Sequence, residues 1–335
     1  MRSLLFISIG FFISSFSLLH AQLKVSGLEL ENYNYPFPVK FIKLKLQNEV
    51  YKMAYMNVPP AKALTDSEEK TVLLLHGKNF NGAYWKQTAD SLSQAGYRVI
   101  IPDQLGFGKS SKPANFQYTF QQLAQNTKAL LDSLNIHKIA VLGHSMGGML
   151  AVRFTLMFPE LVTRLILEDP IGLEDYKLKV PYQPVDQWYQ RELKQDYAAM
   201  KKYQQASYYH GEWKPEYEPW LDITAGWTLN KNYASIAWNS ALTYDMIMTQ
   251  PIVYELERIE VPVLLIIGQK DKTALGKELV AKEVAETMGN YPELGKQTKH
   301  KLKNCELVEL EGVGHIPHIE SFAGFIQPLI SFLKK

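Results

Sequence analysis

The chain of 335 residues holds one cysteine, Cys305, so no internal disulfide can form and no multi-cysteine zinc cluster can be built. Charge of one sign is equally scarce. The 36 Lys and Arg against 34 Asp and Glu leave a formal net charge of +2, which gives no electrostatic footprint for nucleic acid. Internal repeats and low-complexity segments are absent. These absences exclude a fibrous, disordered or nucleic-acid-binding protein. What is present, 46% hydrophobic and 21% charged residues, is globular composition in a chain long enough to bury a large core. With no disulfide to help, that core must carry the stability.

The N-terminus reads as an address. Met1-Arg2 is a short basic start, and Leu4 to Leu19 is an apolar run diluted by Ser8, Gly10, Ser14, Ser15 and Ser17. It ends at Leu19-His20-Ala21-Gln22, with a small residue where signal peptidase needs one. The run is short for a membrane span and has no basic stop-transfer flank. The expectation is a secretory signal over residues 1–21 and an exported mature chain, periplasmic or secreted, with no stable membrane insertion after cleavage. No cysteine follows the cleavage position, so lipoprotein anchoring is not indicated.

Two alternating stretches, Val39 to Leu46 and Val50 to Val58, predict an antiparallel hairpin turning at Gln47-Asn48-Glu49. Short apolar strands then alternate with helical segments. Strands are expected at Thr71–Leu75, Tyr97–Ile101, Lys138–Leu142 and Arg164–Leu167, and helices at Trp85–Gln94, Phe120–Leu134 and Met146–Phe158. The same grammar resumes with Val261–Ile267, a helix Leu279–Met288, Leu307–Leu310 and a helix Phe322–Phe332. Such alternation implies a parallel sheet with helices on both faces, an α/β fold. Between them it breaks, and the aromatic-rich stretch 171–259 reads as a mostly helical insertion over the sheet's carboxyl edge. The expected organisation is a core domain of residues 22–170 and 260–335 with an inserted domain of 171–259.

Chemistry concentrates at the ends of the predicted strands. Gly143-His144-Ser145-Met146-Gly147 matches G-x-S-x-G between a strand and a helix, the context in which a sharp turn lifts a serine hydroxyl above the sheet. This makes Ser145 the candidate nucleophile. Acyl transfer also needs two backbone N–H groups facing the developing oxyanion. Met146, after the nucleophile, supplies one, and the loop His76-Gly77-Lys78 supplies the other, through Lys78. Gly312-Val313-Gly314-His315 follows the last strand, and His315 is favoured as general base over His300 and His318 by its glycine loop and by the order Ser, Asp, His. Asp271, after the strand Val261–Ile267, is the acid that would orient it, with Asp169 as the alternative. Asp103 precedes the elbow and is expected to brace a loop.

On these residues the chain resembles the α/β-hydrolase fold superfamily, in the branch with a cap domain inserted after the sixth strand. The resemblance rests on His76-Gly77, Asp103…Gly106-Phe107-Gly108-Lys109-Ser110, Gly143-His144-Ser145-Met146-Gly147-Gly148, Gly268…Asp271 and Gly314-His315, spread over residues 71 to 320 in family order. It implies a mostly parallel eight-stranded sheet, a serine hydrolase, a small-molecule substrate, and no metal or organic cofactor. Serine at position 145 departs from the dehalogenase and epoxide hydrolase relatives, which place aspartate there. The polar stretch from Gly289 to Lys303 has no counterpart in this reading.

The leading reaction is hydrolysis of a carboxylic ester or lactone through an acyl-enzyme. Hydrolysis of a diketone carbon–carbon bond, and acyl transfer to another acceptor, are the alternatives on the same triad; a ligand receptor is the non-enzymatic one. The inserted domain is expected to select a hydrophobic substrate, with Trp188, Trp213 and Trp227 as candidate pocket residues. The Lys78 side chain poses a separate question. An ammonium beside the reacting carbonyl is costly to bury alone, so it would snorkel to solvent, pair with a carboxylate of the cap, or await a charge carried by the substrate.

Overall fold

The computed structural model describes residues 23–62 and 70–335; the signal segment expected at 1–21 lies outside the described residues. Eight strands form one sheet: β1 (Val39–Leu46), β2 (Glu49–Val58), β3 (Thr71–Leu75), β4 (Arg98–Pro102), β5 (Ile139–His144), β6 (Val162–Glu168), β7 (Val263–Gly268) and β8 (Cys305–Leu310). Their order is β1-β2-β4-β3-β5-β6-β7-β8. The first two are antiparallel, β2 meets β4 antiparallel, and every later pairing is parallel. The predicted hairpin closes on two residues, Gln47 and Asn48, at φ 49° and 71°. This turn suits the right-handed twist of its strands.

The inner strands β3, β5 and β7 are almost wholly apolar, with Thr71 and His144 at strand ends, and are buried on both sides, as a doubly covered parallel sheet requires. Leu73 and Leu75 face one core, shared with α2 (Phe120–Ser133) and α3 (Met146–Met157), while Val72 and Leu74 face the other, shared with α1 (Lys86–Gln94). Between β6 and β7 the chain is helical: α4 (Val185–Glu192), α5 (Tyr197–Ser207), α6 (Glu218–Thr228) and α7 (Tyr233–Thr249), with short 3₁₀ turns between some of them.

After β7 the structure departs from the expected helix Leu279–Met288. That stretch holds only a 3₁₀ turn and the short α8 (Lys282–Ala285). The helix that crosses from β7 to β8 is α9 (Tyr291–Lys301), inside the polar stretch left without a role. Only Tyr291, Gly295 and Thr298 of α9 are buried, and Gly295 seats the helix against Ile267. A helix that buries so small and weakly apolar a stripe has little hydrophobic periodicity to betray it. The chain ends with α10 (Pro317–Glu320) and α11 (Phe322–Lys334), the latter packed on the same core as α1.

The N-terminal segment also sits otherwise than expected, since residues preceding β1 bind the insertion as well as the core. Leu30 is fully buried among Ile223, Trp227, Tyr233, Ile236 and Ala237. The Ser26 N–H donates to Gly226 O at 3.0 Å, and Trp227 Nε1–H donates to Gly27 O at 2.8 Å. The Tyr35 hydroxyl then reaches core residue Asp103 at 2.7 Å. The segment is a strap from core to insertion, and Trp227 is its anchor rather than a pocket residue. Truncating Trp227 to Ala is therefore expected to cost about 3–5 kcal/mol, as for other buried aromatics. The denaturation midpoint reports this, and an unchanged midpoint would remove Trp227 from the anchor.

Candidate active site

The sheet register brings the strand ends into line. Leu75 of β3 lies beside Gly143 of β5, and Gly268 of β7 beside Leu310 of β8. The loops carrying Lys78, Ser145, Asp271 and His315 therefore open on one edge. At the end of β5 the chain turns into α3 through Ser145, whose φ of 56° and ψ of −121° are unusual for a residue with a side chain. Its N–H is pinned to Glu168 O at 3.1 Å, and its carbonyl accepts from Gly148 at 2.9 Å. Gly147 is required by space: a Cβ there would run into the Leu75 carbonyl. Gly77 likewise lets the β3 loop close on the elbow, because a Cβ would stand 3.1 Å from Ser145 Cβ.

The three expected triad members meet. Ser145 Oγ lies 2.9 Å from His315 Nε2, and His315 Nδ1 lies 2.6 Å from Asp271 Oδ2. The other Asp271 oxygen accepts from Thr273 N–H at 2.7 Å. With Asp271 accepting from Nδ1–H, Nε2 is left as acceptor for the serine proton. Asp169, the alternative acid, points elsewhere, and both of its oxygens take the Gly268 N–H at 3.0 and 3.1 Å. Burial, and then the Asp271 charge, hold its carboxyl well above the usual carboxylate range. Among the described residues, the backbone N–H groups of Lys78 and Met146 find no acceptor.

Several positioning groups escaped the sequence. His144 is buried between loops: its Nε2–H donates to His315 O at 2.7 Å, and its Nδ1 lies 3.1 Å from the Tyr84 hydroxyl. That hydroxyl in turn accepts the Gly77 N–H at 2.9 Å. Burial and the neighbouring His315 and His318 keep His144 well below the ordinary histidine range, so it bridges as a neutral ring. One chain of hydrogen bonds thus ties the β3 loop to the histidine loop. Glu320 grips the latter from beneath, accepting from Gly314 and Ile316 N–H at 3.1 and 3.0 Å. Burial pushes the Glu320 carboxyl up to about 7. His318 is held by Glu168 at 2.8 Å and stacks on Trp85. Asp103 braces its loop as expected, accepting from Gly82 and Lys109 N–H at 2.7 Å each.

The insertion supplies Tyr208, whose ring lies 4.8 Å from that of His315 at 28°, while its carbonyl accepts the His315 N–H at 2.8 Å. The Tyr208 hydroxyl accepts from Asn79 Nδ2 at 2.8 Å. Asn79, Tyr203 and Tyr244 line a cleft of about 450 Å³ between core and insertion. None of the expected tryptophans lines this cleft. Trp188 stacks behind Tyr244 at 4.9 Å, Trp213 donates to Glu218 within the insertion's own aromatic cluster, and Trp227 anchors the strap. The cleft aromatics are tyrosines, which composition could not separate from the insertion's packing residues.

This fold and strand-end geometry define an α/β hydrolase. Residues 70–322 match the α/β hydrolase fold family, and the chain belongs to it. It is 49% identical to a probable hydrolytic enzyme of Pseudomonas aeruginosa PAO1 with a solved crystal structure, at a TM-score of 0.91 over 94% of this chain and 100% of that one. An esterase from Exiguobacterium antarcticum, 21% identical, shares the fold at a TM-score of 0.63 over 85% of this chain and 96% of that one. A 2-hydroxy-6-oxononadienedioate/2-hydroxy-6-oxononatrienedioate hydrolase of Escherichia coli K12 is 42% identical over 102 residues, 30% of this chain and 35% of that protein. The chain therefore matches only about a third of that curated relative's length.

Tyr84→Phe would strand the buried Gly77 N–H, at a cost of about 1–3 kcal/mol. A purely structural role would lower stability alone. Loss of the link from Gly77 through Tyr84 and His144 to the His315 loop should also reduce kcat while leaving KM nearly unchanged, which steady-state kinetics with an activated ester resolves.

Proposed function

We propose that this α/β-hydrolase is a serine hydrolase that cleaves a carboxylic ester or lactone through an acyl-enzyme. The observation that carries the reading is the unbroken chain Ser145–His315–Asp271 beside two backbone N–H groups without acceptors. His315 Nε2 would take the Ser145 proton as Oγ bonds to the carbonyl carbon. The carbonyl oxygen would gather charge between the N–H groups of Met146 and Lys78, at the N-terminus of α3. Collapse of the adduct returns the proton through His315 to the leaving oxygen, and water repeats the cycle on the acyl-serine.

A second reading, hydrolysis of a carbon–carbon bond beside a ketone, is favoured by the local match to the Escherichia coli dienedioate hydrolase. The residues would keep their roles, and the leaving group would be a carbanion that takes the proton at carbon. Alcohol release from esters against loss of absorbance from a vinylogous diketone separates the two.

Fluorophosphonate labelling at Ser145, followed by multiple turnover of short-chain nitrophenyl esters, tests the serine mechanism and also distinguishes an enzyme from a receptor. Ser145→Ala is expected to lose at least about 10³-fold in kcat, and activity within about tenfold of the parent would overturn the assignment. Ser145→Gly should be equally inactive yet no less stable than the parent, because glycine relieves the positive φ, worth about 1–3 kcal/mol at such sites.

The two acids separate in the same assay. Asp271→Asn removes the acceptor that fixes the His315 tautomer and should cost about 10³- to 10⁴-fold in kcat. Asp169 contacts neither Ser145 nor His315, and an amide oxygen can still accept the Gly268 N–H, so Asp169→Asn should stay within about tenfold of the parent. The reverse ranking would move the acid to the end of β6.

A further inference from the structure

The Lys78 side chain runs from the oxyanion loop into the insertion. Its Nζ donates to Ser240 Oγ on α7 at 2.6 Å and stands 3.8 Å from the centre of the Tyr244 ring. Both partners are neutral. Among the described residues no carboxylate lies within ion-pair distance of this amine; Glu192, on α4, acts on it only through space. Lys78 is only partly buried, and its neighbours Asn79 and Tyr244 line the cleft between core and insertion. The side chain thus neither escapes to bulk solvent nor finds a carboxylate in the insertion. Burial lowers its pKa to about 8, which leaves it mostly charged at neutral pH. An ammonium has three donors, and a serine hydroxyl and a ring face leave its charge uncompensated.

We propose that Lys78 Nζ, with Ser240 Oγ and the Tyr244 ring, forms an anion subsite beside the oxyanion loop, so that the substrate of this enzyme carries a carboxylate close to its scissile bond. The proposal rests on the serine hydrolase reading for the position of that bond. The backbone of Lys78 serves the carbonyl oxygen while its side chain recognises the charge, which fixes the separation of the two groups to the span of one lysine. A carboxylate there would take the free donors of Nζ and complete an ion pair shielded by Tyr244, where the low dielectric strengthens it.

The test is a ratio, so that any effect on catalysis in general divides out. Two matched pairs place the charge on either side of the bond: mono-4-nitrophenyl adipate against 4-nitrophenyl hexanoate, and 4-acetoxybenzoate against phenyl acetate. Lys78→Met keeps the backbone N–H and much of the stem but removes the charge. Its kcat/KM should fall selectively for the anionic member of at least one pair, by about 10- to 100-fold, the worth of a hydrogen bond to a charged group. Lys78→Arg should restore part of the preference. Equal losses within both pairs would make Lys78 a tether between loop and insertion and would overturn the subsite. A second arm does not depend on turnover: calorimetric titration of adipate and of benzoate into the Ser145→Ala protein, with and without Lys78→Met. Binding of either probe that requires Lys78 supports the subsite even if the esters prove inert and the serine hydrolase reading fails. Absence of Lys78-dependent binding by both probes, or binding unaffected by the substitution, refutes it.

Discussion

The turn at Ser145 sets the terms for everything built around it. A residue with a side chain is held at φ 56° where β5 ends, and such a backbone persists only when its surroundings over-determine it. Here the determinants are a hydrogen bond from Ser145 to β6, the close seat of Gly147 on the Leu75 carbonyl, and Gly77 pressed against the serine itself. Each depends on parallel register. If β3 and β5 slipped by one residue, the small positions would no longer face one another and the turn would lose its support. The apolar strands buried on both faces hold that register, so the core and the Ser145 turn are one mechanical problem.

A second layer fixes the loops to each other rather than to the sheet. His144 and Tyr84 link the β3 loop to the histidine loop, and Glu320 grips the two N–H groups that flank His315. Above, Tyr208 stacks on His315 and accepts its N–H. The histidine loop is thus held from core and insertion together. The strap ahead of β1 closes the circuit, since it binds α6 through Ser26 and Trp227 and the core through Tyr35. Loosening the insertion would therefore disturb the His315 backbone itself, beyond changing access to the cleft.

How far the sequence could be read follows from what kind of signal each feature leaves. Strand-end motifs are local: Gly-His-Ser-Met-Gly, Gly-Val-Gly-His and the loop with Asp271 each sit within a few residues of an apolar run, and the residues they named do meet. Chain order admits both Asp169 and Asp271, since each follows a strand and lies between Ser145 and His315; what separates them physically, Asp169's commitment to Gly268, is a contact across 99 residues. Features carried by long-range pairing left no such mark. The α9 helix buries too little apolar surface to show a period, and the strap looks like an ordinary polar leader to β1. The tryptophans were ambiguous in sequence because bulk and hydrophobicity suit a pocket wall and a packing core equally. Trp213 satisfies Glu218 and Trp227 satisfies the Gly27 carbonyl, so their indole N–H groups are already engaged in structure.

On the proposed reading, Lys78 gives the residue after a histidine–glycine pair a part in specificity that the pair itself cannot play. The donor role proposed for the backbone at this position is one that any residue other than proline could fill. Its side chain is free to vary without disturbing that role, yet under that reading it would lie within one side-chain length of the reacting carbonyl. Glycine or a small apolar residue would reach neither Ser240 nor Tyr244 and would leave Asn79 as the loop's contact with Tyr208. Lysine instead reaches Ser240 and Tyr244 on α7, and so couples the donor loop to the element that roofs the cleft. The same atoms that hold the roof would then sense the substrate's charge. Recognition there would reach the oxyanion loop through a single residue, with no movement of the sheet.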